Sequence, residues 1–410
     1  MNIGSVRLHD VPEPHIDRAL ALAHLVFHES PDGEHRKQQH QMLSGCLRIG
    51  AYDGEELVGF AAAHPFTASV PGGGDLPCPG LSYVSVAPTH RRRGVLSAMM
   101  AELFVRCAEQ GAPLAALWAS EASIYGRFGF GPGTYGATVE IDSRRALALR
   151  IAPDERPLRL LDADSASGVL APYFETTRGP RAGRHARTDT WWREQWLARK
   201  DEEDEDLSPP RVVAIGDPLA GYAIYRTKSG DCSRGVPGLV SVEELEADTP
   251  ASAAALWRYL ADIDLTGTVR AHGRPLDDPL LLFAADRDQV SVKSVEPALW
   301  VRLVDVRAAL AARAWAAPVD LVLEVRDTRL PANAGTFRLI ASPDGFSYAP
   351  TGDAPDLTVE ARDLATAYMA ATPVAALVRS GLVTEHTQGA ASMLDAALRT
   401  ELVPHTGDTF

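Results

Sequence analysis

The 410-residue chain is too long for one ordinary domain, and its 46% hydrophobic and 23% charged residues are typical of a globular protein with two or three domains. A formal net charge of −14 argues against a nucleic-acid-binding protein, which needs clustered Lys and Arg; the charge favours attraction of cations, or serves only solubility. No apolar run approaches the length of a membrane span, and residues 1–15 lack the apolar core of a signal peptide, so we expect a cytoplasmic protein.

The first part of the chain is predicted to form an α/β domain. An apolar residue at every third or fourth position predicts a helix over 16–27, and Asp53-Gly54 between two apolar runs predicts a hairpin. The elements that follow alternate between strand and helix. They are a strand over 81–86, a helix whose apolar face begins at Leu96, a strand over 114–119, a short helix over 121–128 and a strand near 137–141.

Two further units are predicted after a loosened pattern around 150–157. In the second unit a helix-like segment at 191–200 is followed by strands at 211–215, 220–226 and 239–247 and a helix near 251–261. This order repeats that of the first unit and indicates a degenerate duplicate. The third unit is predicted to contain strands at 300–304, 319–325, 335–341 and 357–361 and helices at 307–315, 364–369 and 391–398.

A basic, glycine-containing turn lies between a predicted strand and a predicted helix. Its sequence is Val84-Ser85-Val86-Ala87-Pro88-Thr89-His90-Arg91-Arg92-Arg93-Gly94-Val95-Leu96. N–H groups in the first turn of a helix have no internal partners and lie at the positive end of the helix dipole, so such a turn binds phosphate. Gly94 allows close approach, and the arginines add charge-assisted contacts. Taken alone, the turn is also compatible with a chance match; it matches neither the Walker A loop nor the dinucleotide fingerprint.

A second motif follows the next predicted strand and places Tyr125 on a short helix beside an aromatic-glycine turn. It reads Ser120-Glu121-Ala122-Ser123-Ile124-Tyr125-Gly126-Arg127-Phe128-Gly129-Phe130. In isolation Tyr125 fits a packing residue better than a catalytic one. Two such motifs in this order, each after a strand, favour a coenzyme site.

The pair Arg91-x-x-Gly94 and Tyr125-Gly126-Arg127-Phe128-Gly129-Phe130 resembles the coenzyme A site of the GNAT N-acetyltransferases. More narrowly, it resembles the enhanced intracellular survival (Eis) family of actinobacterial aminoglycoside and lysine N-acetyltransferases. Arg187-Thr188-Asp189-Thr190-Trp191-Trp192 and Leu299-Trp300-Val301-Arg302-Leu303-Val304-Asp305-Val306 support the resemblance, which therefore covers essentially the whole chain. One departure is Leu96, which stands where most GNAT proteins have glycine or alanine.

The resemblance implies an α/β (α+β) fold with tandem GNAT folds followed by a sterol-carrier-protein-like C-terminal domain. It implies a catalytic GNAT domain over 1–150, a degenerate GNAT-like domain over 151–298 and the sterol-carrier-like domain over 299–410, assembled as a homohexamer. Because the duplicate has no Arg-x-x-Gly turn between Ala247 and Ala251, we expect it to bind no coenzyme A.

The resemblance also implies the reaction and its residues. Acetyl-CoA would be the co-substrate, with no metal, and a primary amine of a cationic acceptor (an aminoglycoside, a polyamine or a lysine side chain) would attack it directly in a ternary complex. Tyr125, with an unperturbed pKa of about 10, would be the general acid, and the carboxylate of Phe410 the general base. Phe27 and Tyr83 would line the acceptor pocket or serve the core. The residues expected to bind the cofactor are Val84, Ser85, Val86, Arg92, Arg93, Gly94, Val95, Leu96, Ser97, Ser120 and Glu121.

Other functions receive less support from the sequence. A catalytically silent protein that binds a lipid or a partner through its third domain is the alternative to an enzyme. His24 and His28 have helical metal-site spacing but lack the glutamate of an H-E-x-x-H motif. The four cysteines are far apart and predict neither a metal site nor a disulfide framework; they are Cys46, Cys78, Cys107 and Cys232.

Overall fold

The computed structural model of the protein describes residues 4–201, 204–231 and 235–410, so Cys232 lies outside the described residues. The elements of the first part are β1 (Val6–Asp10), α1 (Ile16–Phe27), α2 (Gly33–Ser44), β2 (Leu47–Asp53), β3 (Glu56–His64), β4 (Thr67–Ser69), β5 (Asp75–Pro77), β6 (Gly80–Val86), α3 (Val95–Glu109), β7 (Leu114–Trp118), α4 (Ala122–Tyr125), β8 (Gly131–Pro132) and β9 (Tyr135–Asp142). The predicted helix at 16–27 is confirmed.

The elements of the second part are β10 (Leu158–Leu161), α5 (Ala163–Arg178), α6 (Asp189–Trp191), β11 (Arg211–Ile215), β12 (Gly221–Lys228), β13 (Gly238–Ala247), α7 (Pro250–Ala261), β14 (Thr266–Arg274), α8 (Leu280–Phe283), β15 (Val290–Pro297) and β16 (Leu299–Leu303). Those of the third are α9 (Val306–Ala312), β17 (Val319–Arg326), β18 (Gly335–Ser342), β19 (Gly345–Pro350), β20 (Leu357–Glu360), α10 (Ala361–Tyr368), α11 (Val374–Arg379), β21 (Val383–Glu385) and α12 (Ala390–Leu398).

The first sheet has the strand order β1-β2-β3-β6-β7-β16-β8. Its strands β2 and β3 form the hairpin predicted at Asp53-Gly54, where Gly54 takes a φ of 62° that favours glycine. Helices α1 and α3 bury one apolar stripe each against the sheet, with Ile16 and Met99 fully buried. This packing forms the core that supports β6 and the start of α3.

The second sheet repeats the arrangement in the order β10-β11-β12-β13-β14-β9-β15. The predicted strands of this unit are confirmed as β11, β12 and β13, and the predicted helix as α7. Thr249 caps α7 by accepting a hydrogen bond from the N–H of Ser252, and Trp257 on the same helix is fully buried against the sheet.

Two strands pass between the first two sheets. β9 precedes the predicted division at residue 150, yet it pairs with β14 and β15 of the second sheet. β16 follows the predicted division at 298, yet it lies between β7 and β8 of the first sheet. Each sheet is therefore completed by a strand from beyond a predicted division, while the divisions themselves stay predictions.

The third sheet is mixed, with the order β19-β18-β17-β20-β21 and a parallel pair at β17 and β20. Helices α9 to α12 contribute to its core, in which Leu323, Tyr368 and Leu394 are buried. In the part of the chain that the structure describes, no helix is both long and apolar enough to cross a bilayer.

Candidate active site

The central parallel strands of the first sheet, β6 and β7, pair only over the first two residues of β6, which lie beside Ala116 and Leu117 of β7. Gly80 and Leu81 are the residues of β6 in this ladder, and β6 continues to Val86 without β7. On its other edge β6 stays paired with β3, with an irregular register where Tyr83 takes a φ of 53°. We call the resulting opening the β6/β7 split. Its β6 side offers backbone groups to which an extended ligand can pair as a further strand would.

The N-terminus of α3 follows β6 after the turn formed by residues 87–94 and has no side-chain cap among the described residues. Gly94 takes a φ of 85°, no side chain in the described part of the chain caps the helix, and the first helical hydrogen bond runs from Ala98 N–H to Gly94 O at 3.0 Å. The N–H groups of the three residues between them therefore have no helical partner. Arg92 has a φ of 63°, which costs a non-glycine residue about 1–3 kcal/mol. The turn is thus held in a conformation that presents N–H groups to an anion.

The predicted cofactor residues lie around the split and this turn. Arg92 and Arg93 are exposed, whereas the side chain of Val95 is in the core, so only its backbone faces the turn. Ser120 and Glu121 are exposed and follow β7. Because parallel strands end at the same edge of a sheet, the segments after β6 and β7 flank one opening.

Tyr125 ends the short helix α4 with its ring buried. The ring packs edge-on against Phe130, with centroids 6.2 Å apart. Burial, with a smaller contribution from the charge of Glu121, raises the pKa of Tyr125 to about 12, so its hydroxyl stays protonated at neutral pH. No described residue forms a recorded hydrogen bond with this hydroxyl, which leaves it available to a ligand.

Side chains of the third unit hold the turn that carries Tyr125. A Cβ at Gly126 would lie 2.6 Å from Nη1 of Arg362, and Arg329 Nε donates to the carbonyl of Arg127 at 3.1 Å. Gly129, with a φ of 84°, leaves room for the buried guanidinium of Arg302. The position of Tyr125 therefore depends on both the first and the third unit.

Phe410 lies beside the closed end of the β6/β7 split. Its ring contacts those of Phe66, His185 and His64, with centroid distances of 5.0, 5.6 and 6.2 Å. A Cβ at Gly80 would lie 2.8 Å from Cε2 of Phe410. We call these three side chains and Gly80 the aromatic socket. The sequence analysis named Phe410 but none of the residues that surround it.

The two histidines of the aromatic socket are buried and uncharged at neutral pH. Burial lowers the pKa of His64 to about 4, and the neighbouring His185 adds to the effect. Burial likewise lowers the pKa of His185 to about 4. His64 Nδ1 lies 3.1 Å from Sγ of Cys46, while neither ring nitrogen of His185 has a hydrogen-bond partner among the described residues.

A cavity of about 650 Å³ lies between the first two units and reaches the end of the chain. Among the described residues that line it, seven side chains are carboxylates and four are Lys or Arg. The carboxylates are Glu194, Asp201, Asp204, Glu243, Glu244, Glu246 and Glu296. Phe27 and Tyr83, the residues predicted for the acceptor pocket, do not line it: both are half-buried, at the end of α1 and in the bulge of β6.

Models of known protein families match three successive parts of the chain. Residues 7–133 match an acetyltransferase (GNAT) domain, residues 183–307 match a second model with the same description, and residues 306–407 match a sterol carrier protein domain. The predicted fold, two GNAT folds followed by a sterol-carrier-like domain, is confirmed.

Whole-chain relatives share this organisation. An uncharacterized N-acetyltransferase of Streptomyces avermitilis is 39% identical over 378 residues, which are 91% of this chain and 92% of that protein. The N-acetyltransferase Eis of Mycobacterium tuberculosis is 33% identical over 378 residues, 89% of this chain and 88% of that protein. The crystal structure of Eis1 from Mycobacterium abscessus has a TM-score of 0.86 at 32% identity and covers 99% of this chain and 100% of its own.

Proposed function

The chain belongs to the Eis family of GNAT N-acetyltransferases and is an acetyl-CoA-dependent acyltransferase, and from that premise we propose that its acceptors are primary amines of cationic molecules. The candidate classes are aminoglycosides, polyamines and lysine side chains. Five of the lining carboxylates pair with Arg or Lys side chains, whereas Glu194 and Glu296 form no ion pair with a described residue. These two support a cationic acceptor, because unpaired carboxylates in a cleft attract and hold ammonium groups. The cytoplasmic location and the homohexamer stay predictions.

We assign acetyl-CoA to the β6/β7 split and the turn before α3. The pantetheine arm would pair with the edge of Val84, Ser85 and Val86, where the side-chain oxygen of Ser85 is buried without a hydrogen-bond partner among the described residues. Unpartnered N–H groups and exposed arginines suit a pyrophosphate. The residues assigned to it are Arg92, Arg93, Gly94, Val95, Leu96 and Ser97, with Ser120 and Glu121 across the opening.

In the proposed reaction the amine nitrogen bonds to the thioester carbon and the carbon–sulfur bond breaks. The carboxylate of Phe410 accepts the proton that the amine loses, and Tyr125 gives its proton to the departing thiolate. With the pKa of Tyr125 at about 12 and that of a thiol at about 8.5, complete transfer is uphill by about 5 kcal/mol. Tyr125 therefore contributes first as a hydrogen-bond donor to the sulfur as negative charge develops on it.

The observation that carries this assignment is the position of Phe410 in the aromatic socket, next to the first residue of β6. An unperturbed α-carboxyl group has a pKa of about 3.5 and is a weak base in water. The contacts of the Phe410 ring keep the end of the chain next to the closed end of the split, where its carboxylate would meet the amine.

The test is thiol release from acetyl-CoA with a panel of amines, in the wild type and in a variant that lacks Phe410. We expect turnover with polycationic amines, and a variant with a lower kcat that still binds coenzyme A in calorimetry. An unchanged kcat would remove the Phe410 carboxylate from the mechanism. Turnover only with amines that carry no positive charge besides the reacting group would contradict the proposal of a cationic acceptor.

A further inference from the structure

The last eight residues, 403–410, form a C-terminal tail that lies along the second unit. Asp277 Oδ2 accepts from the N–H of Val403 at 2.9 Å, and Ala182 O accepts from the N–H of His405 at 2.9 Å. The ring of His405 bonds to the carbonyl of Gly273 on β14. These contacts fix the backbone of the tail before it reaches the first unit.

Asp408 is the centre of this attachment and is almost completely buried. Its Oδ1 accepts from Arg187 Nε at 2.8 Å and from the indole N–H groups of Trp191 and Trp196 at 2.9 Å each. Its backbone carbonyl accepts from the indole N–H of Trp118, at the end of β7, at 2.7 Å. One residue of the tail thus joins the second unit to the edge of the β6/β7 split.

Arg187, the first residue of the Arg187-Thr188-Asp189-Thr190-Trp191-Trp192 segment, balances the buried charge. It pairs with Asp408 and, through both Nη atoms, with Glu244 of β13 at 2.7 and 3.0 Å. Its guanidinium lies over the rings of Phe174 and Trp196, at 3.7 and 4.1 Å from their centroids. Thr188 caps the following turn by accepting from the N–H of Trp191, which directs the tryptophans toward Asp408.

These contacts lie at an opening in the second sheet that corresponds to the β6/β7 split. The parallel strands β13 and β14 pair only as far as Val242 and Ala271 and then diverge, and we call this opening the β13/β14 split. Glu244, which pairs with Arg187, and Gly273, which accepts from His405, each lie two residues after the last paired residue of their strand. The tail therefore crosses the mouth of the β13/β14 split.

We propose that the second unit has kept its split as a binding site for the chain's own C-terminal tail, with Asp408 and Arg187 as positioning residues for Phe410. Asp408 is two residues from Phe410, so an anchor with four hydrogen bonds restricts where the aromatic socket can receive the ring. The positioning role rests on the proposed function of the Phe410 carboxylate, whereas the binding site itself does not.

The decisive variant is Asp408→Asn in the full chain, which keeps the size of the side chain and removes its charge. A displacement of a catalytic group by about 1 Å lowers a rate by up to about 100-fold, so we expect kcat to fall about 10- to 100-fold. The calorimetric affinity for coenzyme A should stay within about twofold, because the α3 turn is untouched. The indole N–H resonances of Trp118, Trp191 and Trp196 should shift together in nitrogen-labelled protein.

Asp154→Asn is the matched control. It makes the same change in another Arg–Asp pair of the second unit, in which Asp154 accepts from Arg156 and from the hydroxyl of Ser252 and does not contact the tail. We expect it to lower the melting temperature and leave kcat within about twofold. Trp196→Phe, which removes one donor to Asp408 and keeps the ring, should lower kcat about 3- to 10-fold and serves if Asp408→Asn does not fold.

Equal losses of kcat in Asp408→Asn and Asp154→Asn would overturn the positioning role, and unshifted indole resonances would overturn the binding site. A variant lacking Phe410 separates the two proposals. If its kcat falls while Asp408→Asn keeps full activity, the inference is wrong and the proposed function stands. If its kcat is unchanged while the indole resonances respond to Asp408→Asn, the carboxylate mechanism and the positioning role are wrong and the tail-binding site stands.

Discussion

The first and second sheets share one architecture but differ in whether the backbone groups near the central helix are paired. In each sheet five strands follow the same order and two additional strands complete it. Each sheet has one central parallel pair, and in each the strand that precedes the central helix contains a bulge. In the first unit that helix begins after Gly94 without a cap, and the edge of β6 is open. In the second, Thr249 caps α7, and Arg274 donates both Nη groups to Leu245 O at 3.2 Å.

With coenzyme A assigned to the first unit as proposed, the comparison indicates which property makes a GNAT fold a coenzyme site. Strand order and bulge are common to both units, so they are not sufficient. The difference lies in unpaired backbone groups. The first unit leaves N–H groups and a strand edge for a ligand, whereas in the second Thr249 accepts from the N–H of Ser252 and Arg274 donates to the carbonyl of Leu245. At the mouth of its split the second unit holds a tail from its own chain.

The strongest challenge to the comparison is Tyr125→Phe. Removing the hydroxyl from the first unit should lower kcat by about 10²- to 10⁴-fold, because a positioned proton donor is lost while the ring keeps its contact with Phe130. Thiol release measures kcat, and calorimetry should give an unchanged affinity for coenzyme A. A loss of less than about threefold would show that the sulfur leaves without help from Tyr125.

The contact between the two units should be sensitive to acid. His64 and His185 have pKa values of about 4 in the folded protein and about 6.5 when unfolded, so the unfolded chain binds more protons between these values. The free energy of unfolding should therefore fall as the pH drops from about 6.5 toward 4, by up to about 3 kcal/mol per histidine. Denaturant titrations at several pH values should show that the free energy of unfolding of His185→Gln falls less between pH 6.5 and 4 than that of the wild type. The variant His15→Gln, which replaces an exposed histidine, should lose as much as the wild type.

The turn before α3 can be tested with two glycines of similar conformation. Gly94→Ala places a side chain at a φ of 85° beside the proposed pyrophosphate site and should weaken coenzyme A binding about tenfold. Gly54→Ala, at a φ of 62° in the β2–β3 turn and with open space around it, should cost similar stability and leave binding unchanged. If calorimetry gave the two variants equal affinities for coenzyme A, the assignment of the turn to the cofactor would be wrong.

The smallest expected effect concerns the second unit. Coenzyme A should bind with a stoichiometry of one per chain, because the start of α7 already has its cap and a carboxylate, Asp154, bonded to Ser252. Arg274→Ala frees the carbonyl of Leu245 but not the helix start, so the stoichiometry should remain one. A second calorimetric site in either protein would mean that the capped helix still accepts the cofactor.

Local patterns in the sequence predicted much of the fold. The spacing of apolar residues gave α1 and α7, and turn residues gave the β2–β3 hairpin. Helix α2 was missed because it buries only Gln39 and Leu43, which leaves no apolar period to detect. The exchange of β9 and β16 was missed because alternation within a strand does not identify its partner.

The candidate site was also predictable only where its residues are close together in sequence. The Arg91–Gly94 turn and Tyr125 were identifiable because adjacent residues carry the motif and a strand precedes each. Asp408 gave no such signal, since it is one acidic residue in a polar segment and its partners lie more than 200 positions away in sequence. The group of tryptophans after Arg187 was the only hint, because indole N–H groups that are buried need an acceptor.

The exchange of strands between the first two sheets has a consequence for how the protein unfolds. β16 cannot leave the first sheet without opening the ladder with β7, and β9 cannot leave the second without opening those with β14 and β15. Loss of either half removes a strand from the interior of the other, so the two halves form one cooperative melting unit and neither is a viable fragment. Limited proteolysis should therefore yield nicked but associated halves rather than separable pieces.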